Sequence, residues 1–230
     1  MNIQETINKI SFFDSLEKKQ KDELSDISKV KHYPKNSILY YESEVSDEIV
    51  FLVQGLIKIY KLDKFDNEIF LYHVYKNSMV SELSSVKQDT IYYFSNAEVK
   101  EDSLILSINF KKFQELFLSK NILTMELMEI SLKKTHQLQG ILNRELVFDA
   151  TAKVAFMLNQ DLDMFNQLKR QEVSFMLHIQ PETLSRVLKR LSRSGTIIIE
   201  NGNVIIKDKE SLESLFKGVG VWQQMQLVLK

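Results

Sequence analysis

One predicted helix in the C-terminal third of the chain carries side chains whose types and spacing suit DNA reading. Glu182, Ser185 and Arg186 fall on one face, and Lys189 and Arg193 continue it toward positions that suit phosphate contacts. The opposite face is apolar and consists of Leu184, Val187, Leu188 and Leu191. A guanidinium can bond both acceptors of guanine, and a carboxylate can accept from the cytosine amine. One face would therefore pack while the other reads bases.

The neighbouring segments predict a winged helix-turn-helix around this helix. A short helix over 171–177 and a tight turn precede it, and Pro181 stands at the first helical position, where proline is favoured. Beyond it, Asn201-Gly202 separates two β-branched runs, which indicates a hairpin with a type I′ turn. A solvated charged helix is the alternative, but it leaves the turn and the hairpin unexplained.

The charge distribution also favours a phosphate-binding site in this region. The chain of 230 residues has a formal net charge of −1. Residues 1–146 carry 19 basic and 22 acidic side chains, whereas 147–230 carry 11 and 9. Between residues 169 and 193 there are six basic and two acidic side chains, an excess of +4. A local basic stretch on a mildly acidic protein suits binding at one site better than general affinity for polyanions.

The N-terminal half predicts a β-rich domain flanked by helices. Residues 1–29 have helical spacing, whereas from about residue 30 to 108 short β-branched and aromatic runs alternate with polar turns. Several short strands at this spacing predict an antiparallel sandwich or roll. After this domain and a long helix, residues 150–160 are helical and the stretch that ends at residue 167 is polar and loop-like.

A long helix over about 122–146 is predicted between the two regions. At 1.5 Å per residue, a helix of about 25 residues is about 37 Å long, which exceeds what a small roll can cover. Part of its apolar stripe should therefore pack on a second copy of the chain. The residues expected at this dimer interface are Leu123, Leu127, Ile130, Leu138 and Ile141. A core helix within one chain is the alternative.

The whole chain resembles the Crp/Fnr family of bacterial transcription regulators. The match is specific over residues 170–197, where the chain contains Glu-Thr-x-Ser-Arg-Val-Leu-x-x-Leu, and looser over 51–60 and at Glu82-Leu83. The resemblance implies an α+β fold with an N-terminal cyclic-nucleotide-binding-type β-roll, a long dimerisation helix and a C-terminal winged helix-turn-helix. The expected parts are a sensor at 1–120, the dimerisation helix and hinge at 121–147, and the DNA-binding domain at 148–230.

The resemblance also implies roles for individual residues. Glu182, Ser185 and Arg186 match the base-reading set of the fumarate–nitrate-regulator type, which implies a TTGA-like half-site repeated as a palindrome by the dimer. Family positions that touch phosphates are matched by Arg170, Gln171 and Thr183. The implied partners are double-stranded DNA, a second copy of the chain and RNA polymerase.

The chain departs from the family pattern at several turns. The turn glycines of the roll are replaced by Ser43, Asn77 and Ser81, so those turns are expected to be remodelled, although Asn tolerates positive φ. In the helix-turn-helix, His178 stands where glycine is usual and Gln180 stands where a serine cap is usual.

Cyclic AMP is not expected to be the effector. Cyclic-nucleotide members pair the cyclic phosphate with an arginine that follows the Gly-Glu-(Leu/Ile)-Ala cassette. Here the cassette reads Ser81-Glu82-Leu83-Ser84, and no arginine precedes Arg144. An anionic phosphate without its guanidinium would be poorly compensated. Lys87 is the nearest cation after the cassette and lies in a polar stretch. The pocket candidates are Glu82, Leu83, Tyr92 and Tyr93.

Other effectors stay open at this point. The chain has no cysteine, which excludes a thiolate-held iron–sulfur cluster. Haem is an alternative, with His32, His73 and His136 as candidate ligands, although a lone histidine is more often structural. A third alternative is a sensor protein whose main activity is to bind a small molecule or haem in the roll. A fourth is a regulator without a small effector, whose roll would be a filled core.

Enzymatic function is not expected. A cupin-type enzyme needs clustered metal ligands on adjacent strands, and the predicted roll offers only His73 in its interior. Neither a spanning apolar run nor a secretory N-terminus is present, so the sequence predicts a cytoplasmic protein with no membrane partner.

Overall fold

The protein consists of two compact units, with the boundary after Thr135. The structure is a computed structural model that describes residues 2–217. The boundary lies inside a long helix, the one that the sequence predicts to be the dimerisation segment.

The first unit is a roll of two antiparallel four-stranded sheets, as the sequence predicts. Its strands are β1 (Ser28–Tyr33), β2 (Ile38–Tyr40), β3 (Val45–Ser46), β4 (Glu48–Gln54), β5 (Leu56–Leu62), β6 (Glu68–Tyr75), β7 (Ser78–Met79), β8 (Ile91–Tyr92), β9 (Asn96–Val99) and β10 (Ser103–Asn109). One sheet has the order β1-β10-β4-β7, the other has β2-β9-β5-β6, and β3 pairs with β8.

Helices flank the roll: α1 (Ile3–Ile7), α2 (Lys18–Asp26) and α3 (Phe110–Leu116). The predicted helical segment therefore contains two short α-helices and a 3₁₀ helix (Ser11–Phe13), and it ends at Ile27, because residues 28–29 belong to β1. An aromatic cluster packs these segments on the sheet. The Phe51 ring of β4 lies 5.2 Å from Phe12 and 5.0 Å from Phe13, measured between ring centroids, and Phe12 lies 6.4 Å from Phe113.

Two of the three turn positions of the roll that lack the family glycine keep a left-handed backbone, whereas Ser81 does not have positive φ. Ser43 and Asn77 have φ of 70° and 62°. Gly55, between β4 and β5, has φ of 104°, and a Cβ there would lie 2.1 Å from the Ser103 hydroxyl. Only glycine fits this approach of β4 to β10.

Helix α4 (Thr124–Leu146) contains 23 residues and is therefore about 34 Å long. In the second unit it is followed by α5 (Ala150–Gln160), α6 (Leu162–Gln167), α7 (Arg170–Met176), α8 (Pro181–Arg193), β11 (Ile197–Glu200), β12 (Asn203–Ile206) and α9 (Lys209–Lys217). Helix α6 corrects the loop predicted up to residue 167. The Asp161 carboxylate accepts from the Met164 amide and caps it, a signal present in the sequence.

Leu184, Val187, Leu188 and Leu191 of α8 are buried in the core of the second unit, as predicted. The β11–β12 hairpin has the predicted two-residue turn. Glu200 pairs with Asn203, and Asn201 and Gly202 have φ of 50° and 84°. Positive φ at both central residues is the signature of type I′.

Candidate nucleic-acid interface and sensor cassette

Helix α8 presents an unpaired polar face. Glu182, Ser185, Arg186, Lys189 and Arg193 are exposed and line one surface groove. Among residues 2–217, none of these five side chains has a hydrogen bond or an ion pair. Because the opposite face is buried, a substitution on this face should leave the fold intact. The five groups are thus free to meet an external ligand.

The remaining basic groups near this groove differ in their availability. Arg190 is bonded to the Thr151 hydroxyl of α5. Arg170, the expected phosphate contact, donates to the Phe165 carbonyl at 3.3 Å and to the Gly202 carbonyl at 2.6 Å. Its guanidinium also lies 4.6 Å from the Phe165 ring centroid, and burial lowers its pKa. Arg170 therefore holds the hairpin on α7. Of the other residues at family phosphate positions, Gln171 is exposed and Thr183 is half-buried.

A second side chain that the sequence analysis missed holds the same hairpin. The Asn166 amide group donates to the Val204 carbonyl at 3.0 Å and accepts from the Val204 amide at 2.8 Å. This is how a neighbouring strand would bond to β12, so Asn166 completes the hydrogen bonds of an edge strand.

The turn between α7 and α8 takes the backbone conformation that a glycine would provide. His178 has φ of 52°. Gln180 precedes α8 with extended backbone, and its side chain forms no cap hydrogen bond. Both departures from the family pattern are therefore accommodated without loss of the helix-turn-helix.

In the roll, the cassette carboxylate accepts three hydrogen bonds from the chain itself. Glu82 accepts from the Tyr72 hydroxyl at 3.0 Å, from the Ser95 hydroxyl at 3.0 Å and from the Phe94 amide at 3.2 Å. Burial and the charge of Glu82 raise the pKa of Tyr72 well above its ordinary value. Three donors leave little capacity for a ligand hydroxyl.

A cation does reach the cassette, but it comes from α4 and not from the region of the usual arginine. The Lys134 ammonium donates to the carbonyls of Val80 at 3.2 Å and Ser81 at 2.9 Å. Burial lowers the pKa of Lys134 to about 8, and the charge of Glu82 partly offsets this. Lys134 lies 53 positions from Ser81, so proximity along the sequence does not reveal it as a cation of the cassette.

Lys134 makes stability depend on pH in a predictable direction. Between about pH 8 and pH 10 the folded chain has released a proton that the unfolded chain still holds. The free energy of unfolding should therefore rise, by at most about 1.4 kcal/mol per pH unit, and Lys134→Met should lack this rise. Urea unfolding of both proteins at about pH 7.5 and about pH 9.5 measures it. An equal change in the free energy of unfolding with pH for wild type and Lys134→Met would contradict the burial of the ammonium.

The other pocket candidates are not all inside the roll. Tyr93 is buried and stacks on Tyr40 with ring centroids 3.6 Å apart. Leu83 is half-buried. Tyr92 is 39% exposed and donates to the Ser43 hydroxyl at 3.0 Å, so it is bonded at the surface and not to Glu82.

The candidate haem ligands lie on three different elements. His32 is exposed on β1, His73 contacts the Phe70 ring on β6, and His136 lies on α4. Over residues 2–217, no group of three or more His, Cys, Asp or Glu side chains is arranged to hold a metal ion.

Comparisons with known proteins agree with this two-part arrangement. Residues 30–120 match the cyclic nucleotide-binding domain, and residues 154–215 match the Crp-like helix-turn-helix domain. The chain belongs to the Crp/Fnr family. Members of this family are transcription regulators that bind DNA.

Individual Crp/Fnr relatives cover most of the chain. An anaerobic regulatory protein of Bacillus subtilis is 25% identical over 201 residues, which is 82% of this chain and 84% of that protein. A CooA mutant from Carboxydothermus hydrogenoformans has a TM-score of 0.69 at 18% identity, covering 93% of this chain and 95% of its own. FixK2 from Bradyrhizobium japonicum has a TM-score of 0.66 at 15% identity, with coverages of 83% and 98%.

The residues of the predicted dimer interface of this Crp/Fnr regulator differ in their exposure. Leu123, just before α4, and Leu127 are only 3% and 7% exposed, so they pack within the chain and leave little surface for a second copy. Ile130 and Ile141 are half-buried, and Leu138 is exposed. The exposed apolar residues of α4 are Met125, Met128, Leu132, Leu138, Leu142 and Leu146. We call these six the α4 stripe.

Within residues 2–217 of this regulator, none of the helices meets the length and hydrophobicity that a membrane span requires.

Proposed function

We propose that this Crp/Fnr regulator binds a TTGA-type palindrome as a homodimer in the cytoplasm and acts on RNA polymerase at the bound promoter. The observation that carries the proposal is the face of α8, where Glu182, Ser185 and Arg186 are exposed and unpaired within the described residues. Guanidinium and carboxylate groups on a helix that projects from a winged helix-turn-helix can read guanine and cytosine in the major groove.

Dimerisation is the second part of the proposal, and the α4 stripe supports it. The stripe leaves large apolar side chains in water, among them Leu132 at 54% and Leu142 at 57% exposure. Apolar residues that recur every three or four positions along a long helix are buried when two such helices pack together. A two-fold dimer would place two α8 helices about one DNA turn apart, about 34 Å, to read the two half-sites.

Fluorescence anisotropy tests the proposal directly. A labelled duplex with a TTGA palindrome is compared with a duplex of equal length and composition in which both half-sites are scrambled. We expect tighter binding to the palindrome by at least about a thousandfold at physiological salt. Equal affinity for the two duplexes would reduce the protein to a non-specific DNA binder.

The cassette contacts favour control without a cyclic nucleotide. Glu82 already accepts three hydrogen bonds from the chain, and the cation beside it, Lys134, is already bonded to two carbonyls. A lysine is a point charge without the two-pronged geometry of arginine, so it is a poor substitute at a cyclic phosphate. The roll would then be a filled core, and protein abundance would set occupancy of the DNA.

We therefore expect that cyclic AMP neither binds tightly nor changes DNA affinity. Isothermal titration with cyclic AMP, together with anisotropy on the palindrome with and without it, measures both quantities. Micromolar binding combined with a tenfold gain in DNA affinity would refute control without a cyclic nucleotide.

A further inference from the structure

The side chain of Glu145, in the last turn of α4, contacts the turn that precedes helix α8. Glu145 accepts from Arg144 Nε at 2.7 Å, and its other oxygen lies 2.8 Å from His178 Nδ1. Lys153 of α5 lies 3.4 Å from that same oxygen and donates to the Leu177 carbonyl at 3.2 Å. Groups from α4, α5 and the turn before α8 therefore converge at Glu145.

His178 has an unfavourable backbone conformation, and its contact with Glu145 offsets part of that conformational cost. His178 has φ of 52°, the left-handed region, where a residue with a Cβ is disfavoured by about 1–2 kcal/mol. Glycine would adopt this conformation freely. The side chain of His178 offsets part of this cost through its bond to Glu145.

The groups around the pair all favour a charged carboxylate. Burial alone would raise the pKa of Glu145, but His178 and Arg144 outweigh this and lower it. Lys153 is 8% exposed and adds a second positive charge. Histidine is the side chain that ordinarily changes charge between pH 5 and 8. Protonation of His178 would therefore turn a neutral hydrogen bond to Glu145 into an ion pair.

We propose that Glu145 and His178 are positioning residues: their ion pair fixes the α7–α8 turn on the last turn of α4 and strengthens sequence-specific DNA binding at mildly acidic pH. The inference rests on the proposed function, because α8 is the reading helix and α4 is the helix that joins the two copies. A turn held against α4 sets the direction of α8 in each copy, and so the spacing of the two reading helices.

The DNA arm of the test measures palindrome affinity at about pH 6 and about pH 8 for wild type, Glu145→Gln and His178→Asn. Asparagine tolerates the left-handed backbone and keeps a donor but carries no charge. A partly exposed ion pair is worth about threefold in each copy, so between pH 6 and pH 8 wild-type affinity should fall by up to about tenfold more than that of either variant. The control, His32→Gln, removes an exposed histidine on β1 and should keep the wild-type profile. Wild-type profiles in both Glu145→Gln and His178→Asn would overturn the proposal.

A second arm needs no DNA and separates failure of the pair from failure of the proposed function. Urea unfolding of wild type, the two single variants and the double variant gives the coupling between residues 145 and 178. The coupling, expressed as a ratio of unfolding equilibrium constants, should be about three times as large at pH 6 as at pH 8. Equal coupling at both pH values would mean a purely structural hydrogen bond and would refute the switch. Wild type that fails to distinguish the palindrome from scrambled DNA would refute the proposed function instead.

Discussion

Replacing Arg186 by alanine is expected to make the free energy of binding to a TTGA palindrome less favourable by about 2–6 kcal/mol. Each bidentate contact to guanine is worth about 1–3 kcal/mol, and a dimer loses one in each half-site. Arg186 is exposed and has no partner among the described residues, so its removal should not change the free energy of unfolding. The loss would therefore belong to DNA reading and not to stability.

Anisotropy with the palindrome and with a duplex whose half-site guanine is changed measures this loss. Arg186→Ala should bind both duplexes with similar affinity. Lys189→Ala is the matched control on the same face, because a phosphate contact should weaken all sequences alike and flatten the salt dependence. If Arg186→Ala lowered specific and non-specific binding equally, Arg186 would be a phosphate contact.

Replacing Leu132 by glutamate is expected to convert the dimer to a monomer and to abolish tight palindrome binding. In a two-fold interface the substitution appears twice and buries two like charges without partners, at a cost of at least about 4 kcal/mol. The chain itself should fold normally, because Leu132 is 54% exposed. Light scattering at micromolar concentration would give a monomer mass.

Gln137→Glu is the control for this substitution. Residue 137 is exposed on the same helix but lies outside the α4 stripe, so the added charge should leave the dimer intact. A dimer mass for Leu132→Glu equal to that of wild type would place the interface elsewhere.

The sequence predicted best what is encoded locally. The apolar face of α8 and the Asn201-Gly202 turn each depend on residues a few positions apart, and both are confirmed. Helix α6 was missed because a polar stretch without a clear apolar period resembles a loop, although Asp161 marks its start.

Contacts between residues that are far apart in the chain could not be predicted from the sequence. Helix α4 has apolar residues on two faces, and spacing alone does not tell which one the chain covers itself; Leu127 lies on the covered face and Leu132 on the exposed one. Lys134 resembles a solvated lysine until the fold places it against the carbonyl of Val80, which lies 54 positions away. Glu145 and His178, 33 positions apart, form a pair for the same reason.

The hairpin of the second unit has a consequence for the entropy of association. Asn166 holds it at Val204 and Arg170 holds it at Gly202, so its backbone is ordered before any DNA arrives. Ordering a loop on binding lowers affinity, and a pre-ordered hairpin avoids that cost. The freedom lost on binding is then mainly that of long side chains such as Arg186 and Lys189, about 0.5–1.5 kcal/mol each.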